Sequence, residues 1–171
     1  MKKLSLIFIF LFLFCDSCLA NVFDYPKKFS DISKQLPELN SIKCNFKQEK
    51  HLQNIQKPLI SGGDFEFKKN EGVYFYTTYP IKSTKNFTNK NYKQINDIIN
   101  GISSKKYSKL EKEFDFYFEG GKTKWTLGLK PKKNSSVVNY ISTITISGED
   151  YIKQISIILS NGNKTYLWFT K

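Results

Sequence analysis

The chain contains no arginine. All 27 of its basic residues are lysine, set against 15 acids, for a formal net charge of +12 over 171 residues. That absence excludes chemistry built on a planar guanidinium fork, such as an arginine finger or a bidentate clamp on phosphate or carboxylate. Histidine is almost absent too. The single imidazole, His51, cannot supply a His-rich metal site or a proton relay, and it reads as a surface residue at a strand end. Cysteine is limited to Cys15, Cys18 and Cys44, and neither Cys44 nor His51 has a partner of the usual metal-ligand type and spacing. Gly62-Gly63 and Gly120-Gly121 are isolated pairs, neither a phosphate loop nor a nucleophile elbow. The expectation is no catalytic residue, no metal and no cofactor. Glu111 and Glu113 read as a solvated helix face. Serines and lysines occur throughout without a marking spacing, so a secreted enzyme with an unrecognised Ser/Lys or carboxylate site stays open as an alternative.

What is present is a folding composition. Forty per cent hydrophobic and 16% aromatic residues are too many for a disordered chain. Residues 1–20 carry a positive start (Lys2, Lys3), an apolar run from Leu4 to Phe14, and a small, polar end at Ala20. This is the plan of a secretory signal peptide, and the apolar run is short for a bilayer span. Cleavage is expected after Ala20, with export of the remaining chain. Neither Cys15, after Leu13-Phe14, nor Cys18, after Asp16-Ser17, has the run that precedes a lipid-modified cysteine. Removal leaves 151 residues with a charge of about +11 and Cys44 as sole cysteine, so no internal disulfide can form. Residues 21–171 suffice for a single domain with its own core. Abundant Lys, Asn and Ile without Arg also fit compositional drift, and export argues against a nucleic-acid partner.

Along this domain, strand patterns dominate. A helix is expected over Asp24–Leu39, with Phe29, Ile32 and Leu36 on one stripe, Pro26 in the first turn and Pro37 limiting the end. Ile42 to Gln48 alternates, placing Cys44 on the apolar side as a buried, inert thiol. Residues 60–79 read as a hairpin around Asn70-Glu71-Gly72, and 84–88 as one more short strand. Tyr92, Ile95, Ile98, Ile99 and Ile102 are spaced for a helix. A second helix is expected from a cap at Ser103 or Ser104 through Glu113, with Tyr107, Leu110 and Phe114 on one stripe. Alternation then returns in Phe114–Phe118, Trp125–Leu129, Tyr140–Ser147, Tyr151–Ser160 and Lys164–Thr170. Nine or ten mostly antiparallel strands and a few helices give a mainly β, α+β fold. The expected form is a curled sheet or incomplete antiparallel barrel with a helical lid over an apolar cavity.

The order of short motifs sharpens this. Phe46-Lys47-Gln48, then Pro58-Leu59-Ile60-Ser61-Gly62-Gly63-Asp64-Phe65-Glu66-Phe67, then Gly72, Phe75 and Pro80, resembles the LolA-type outer-membrane lipoprotein carrier family. Trp125-Thr126-Leu127-Gly128-Leu129-Lys130-Pro131 and the Asn161-Gly162 hairpin extend the resemblance over nearly the whole chain after Ala20. It implies a monomeric, non-catalytic periplasmic carrier. Such a carrier takes acylated lipoproteins from an inner-membrane releasing transporter, shields their acyl chains, and delivers them to an outer-membrane acceptor. The branch with the Pro-Leu-x-Ser motif implies an alternative cargo, a free lipid or glycolipid. The position of the family's lid-closing arginine falls on Lys69, which keeps the charge without the fork.

Strand parity then nominates the cavity-lining residues. They are Phe46, Phe65, Phe67, Val73, Phe75, Phe116, Trp125, Leu127 and Leu129 from strands, and Ile95, Ile98, Ile99 and Leu110 from the lid. About half of them are expected to touch cargo, with the rest packing lid against sheet. Phe75 is the family aromatic before the proline, so Phe75→Glu is expected to abolish cargo binding in a folded protein.

Overall fold

The structure, a computed structural model, describes residues 21–38, 41–69, 71–86, 90–103 and 107–171. The expected signal peptide lies outside them. The described residues form one open, antiparallel, nine-stranded sheet. Its strands are β1 (Ile42–His51), β2 (Leu59–Lys68), β3 (Gly72–Tyr79), β4 (Ser83–Asn86), β5 (Phe114–Gly120), β6 (Trp125–Pro131), β7 (Ile141–Gly148), β8 (Ile152–Leu159) and β9 (Lys164–Thr170). They lie in the order β4-β3-β2-β1-β9-β8-β7-β6-β5. Every adjacent pair is sequential except β1 and β9, which join two meanders.

Register puts the apolar member of each alternation on one face. Cys44 lies opposite Phe65, Phe65 opposite Phe75, and Phe67 opposite Val73. Across the seam, Phe46 lies opposite Phe169. The second meander continues the face through Ile155–Ile146, Ile146–Leu127 and Leu127–Phe118. All these side chains belong to one buried cluster. A shift by one residue would turn each strand's apolar set to solvent, so burial of this face fixes the register. Gln48, the polar residue buried on β1, accepts from Ser61 Oγ at 3.3 Å.

Three helices pack on this apolar cluster. α1 (Phe29–Gln35) contributes Phe29 and Ile32. It is shorter than the expected helix over 24–39. Asp24 belongs to a separate 3-10 turn, Val22–Asp24, whose Phe23 N–H is accepted by the Asn21 side chain. Tyr25 to Lys27 instead run along the free edge of β5. Phe118 N–H donates to the Tyr25 carbonyl and Lys27 N–H to the Phe116 carbonyl, each at 3.0 Å. Pro26 faces Tyr117 between these two bonds, where a residue without an N–H is tolerated at an edge. At the other end Leu36 is extended because Pro37 follows; Leu39 lies outside the described residues. The pairing of 25–27 with β5 is long-range, so helical spacing could not report it.

α2 (Lys90–Ser103) buries Ile98, Ile99 and Ile102, and α3 (Ser108–Glu113) buries Leu110. The backbones of Tyr92 and Ile95 lie on α2, but their side chains fall outside what is described. The expected cap at Ser103 is corrected: Ser103 closes α2, and α3 starts after Tyr107. Ser104 lies outside the described residues. Phe114, expected on the helical stripe, opens β5, its amide donating to the Leu110 carbonyl. Gly72, at φ +113°, lets β3 begin close under α2: a Cβ there would stand 3.0 Å from Asn96 Oδ1. Among the described residues no helix is long and apolar enough to cross a membrane.

Candidate functional site

A cavity of about 470 Å3 opens where β1 begins and β9 ends. That volume falls in the range of small-molecule sites. Its wall comes from the apolar face: Cys44 on β1, Phe65 and Phe67 on β2, and Ile99 on α2. Ile42 and Ile152, each half-buried at a strand start, and Tyr151 line it further out. Glu38, Lys122, Asp150 and Lys171 contribute charge. The lining is therefore mixed, apolar on the sheet and charged at the turns.

Of the expected cavity residues, this cavity gathers Phe65, Phe67 and Ile99. Phe46, Val73, Phe75, Ile98, Leu110, Phe116, Trp125, Leu127 and Leu129 are buried in the same cluster without lining it. The Phe75 ring stands 4.8 Å from that of Phe46, edge-on, and 5.0 Å from that of Phe65. A glutamate at Phe75 would bury an unpaired charge among phenylalanines, so Phe75→Glu acts on stability first. The expectation of a folded, binding-deficient variant is corrected accordingly. Trp125 sits at 1% exposure under Gly148, its indole N–H donating to the Glu149 carbonyl at 2.8 Å. It is a fully satisfied core residue. Ile95 lies on α2 with its side chain outside the described set.

Sequence reading missed Glu38, Ser41, Lys122, Asp150 and Lys171. They sit in turns and strand ends that gather only when β1 and β9 pair, and no local pattern marks them. Lys69, expected as a lid-closing residue, stands beside the cavity without lining it. Its Nζ lies 2.7 Å from Glu38 Oε1, and its N–H donates to Ser41 Oγ at 3.1 Å. Among the described residues its partners are thus Glu38 and Ser41, both lining the cavity between α1 and β1, rather than residues of α2 or α3. The pair is exposed enough for its direct worth to be small, below about 1 kcal/mol.

The Cys44 thiol faces this space. Burial pushes its pKa from 9.0 up to about 11, with the Lys171 charge pulling the other way. It is neutral at ordinary pH and poor as a nucleophile. Ser135, the buried serine, has its hydroxyl engaged: it donates to the Glu113 carboxylate and accepts from Val137 N–H. Among the described residues no three His, Cys, Asp or Glu side chains gather as a metal site. No family model matches the chain, and no curated protein matches it.

Proposed function

We propose that the protein is a periplasmic, non-catalytic carrier that shields the acyl chains of lipoproteins between the inner and outer membranes. The observation that carries the reading is the 470 Å3 cavity, apolar on Phe65, Phe67 and Ile99 and charged at its turns. An amphipathic ligand fits that arrangement, acyl chain inward and polar part at the charged turns. Each methylene moved out of water contributes about 0.8 kcal/mol, so a few methylenes give useful affinity without irreversible capture.

The shape of the sheet supports the reading. Nine strands laid flat would span about 40 Å at the usual spacing. Helices of 7, 14 and 6 residues are too small to cover that width. The inward side chains are nonetheless buried from β3 to β5. A sheet curled over its own apolar face, an incomplete barrel, reconciles the two. Register shifts at Gly62/Gly63, Ile141/Thr143 and Ser147/Gly148 supply the bends. In this reading α2 and α3 are the lid, and Lys69 holds the α1–β1 segment beside the opening. The partners are acylated lipoproteins, a releasing transporter and an outer-membrane acceptor, as the family resemblance implies.

The test is photo-crosslinking in the native cell with a photoreactive phenylalanine analogue at Ile42 or Ile152. Both line the cavity and are only half-buried, so the fold tolerates replacement. The expected adducts are a range of lipid-modified proteins. One free lipid or glycolipid species would transfer the carrier reading to that cargo. No adduct from folded, exported variants at both positions would overturn it.

A further inference from the structure

The opposite end of the sheet has a different surface. Among the described residues eight large apolar side chains are exposed, and all but Tyr25 lie at that end. Ile55, Leu59 and Ile60 come from the β1–β2 turn and the start of β2. Tyr79 and Ile81 flank the β3–β4 turn, and Val138 and Tyr140 precede β7. Ile81 is the most exposed, at 76%. Leu59, Ile60, Tyr79 and Ile81 surround a shallow depression of about 540 Å3 that reaches in to Gln48. Scattered exposed apolar residues need no explanation, but their collection at one end does.

These turns are tied together as one rim. Gln53 N–H donates to Asn163 Oδ1 at 3.1 Å, linking the β1–β2 and β8–β9 turns. Ser160 then reaches the β6–β7 connection, its N–H donating to the Tyr140 carbonyl and its hydroxyl to the Val138 carbonyl. The charge on this rim has one sign. Residues 50–60, 79–83, 132–140 and 160–164 contain six lysines and no acid. Lys57, Lys82, Lys133 and Lys164 are exposed. Of the acids nearby, Glu49 pairs with Lys47 at 2.8 Å and Glu113 accepts from the Ser135 hydroxyl, while Glu111 and Asp115 line a separate depression beside Lys132. The cavity end, by contrast, is balanced by pairs such as Lys69–Glu38 and Lys171–Asp150.

We propose that this lysine-only rim docks on an anionic bilayer surface, with Leu59, Ile60, Tyr79 and Ile81 entering the headgroup layer and the lysines facing lipid phosphates. Charge complementarity selects this occupant: a lysine rim around aliphatic and tyrosine side chains matches a negative surface over an apolar interior. The proposal stands apart from the carrier reading, since it uses none of the cavity residues.

The experiment is co-sedimentation of the protein, recovered after export, with vesicles of phosphatidylglycerol and phosphatidylethanolamine or of phosphatidylcholine alone. Binding is expected on the anionic vesicles only, weakening as salt rises. Lys57→Ala and Lys82→Ala are each expected to lower partitioning by about fivefold. Ile81→Ser is expected to lower it on the same vesicles while leaving the salt dependence unchanged. These exposed positions leave the fold intact, which circular dichroism verifies. Equal binding to both vesicles, or no binding by the wild type, would overturn the proposal. A solution dimer that Ile81→Ser breaks, without vesicle binding, would overturn it in favour of a second copy of the chain.

Discussion

Cys44 shows how a single residue can be legible in type and illegible in place. Alternation along β1 was enough to put it on the apolar face, where it is 7% exposed. Nothing local says that it borders a cavity, because that space is bounded by Asp150 and Lys171 from the far side of the chain. Its raised pKa has a stability consequence. Well below pH 9 the thiol is protonated both folded and unfolded, and it favours neither state. Between 9.0 and about 11 the unfolded chain releases the proton while the folded one keeps it. Stability is therefore expected to fall as pH rises through that window, and Cys44→Ala to flatten this part of the profile. Urea titrations of both proteins from pH 8 to pH 11 check it. The thiol should also resist alkylation in the native protein and react readily in urea.

Elements were read where their pattern is local. The strand alternations and the Ile98, Ile99, Ile102 spacing of α2 needed no partner to be recognised. Helical spacing misleads over the stretch before α1, whose backbone bonds go to β5. Those bonds satisfy an edge that would otherwise be open to another chain. Val22 and Phe23 then lie on the outer face, across β6 at Gly128. A Cβ at Gly128 would stand 2.9 Å from the Phe23 ring and 3.1 Å from Val22. Gly128→Val is thus expected to lift residues 22–27 while the main ladders stay closed. Hydrogen exchange should show the amides of Lys27 and Phe118 losing protection, with those of β8 and β9 unchanged. Loss of protection throughout the sheet would show instead that this segment is part of the global fold.

At the scale of the molecule, the sequence displays the two meanders but not how they join. β1 to β4 and β5 to β9 are each a run of hairpins, and turn signals such as Asn161-Gly162 announce them. The β1–β9 pairing, from Asn45–Thr170 to His51–Lys164, has no local signature. The cavity opens beside this seam, which explains why its charged lining could not be foreseen. Removing the chain from Lys164 onward is expected to leave no stable eight-stranded domain, because β9 alone joins β1 to β8, the two meanders would separate with one edge of each unpaired, and Leu167 and Phe169 would leave the core. Loss of dispersed amide resonances would register that collapse; a cooperative unfolding transition in the shortened chain would contradict it. The same seam governs timing. The first meander is synthesised early, yet its inner edge waits for the final strand before it has a neighbour. Pairing across nearly the whole chain is slow and comes late. The polypeptide is thus held short of its native state for as long as its last segment is missing, an interval in which it is still threadable.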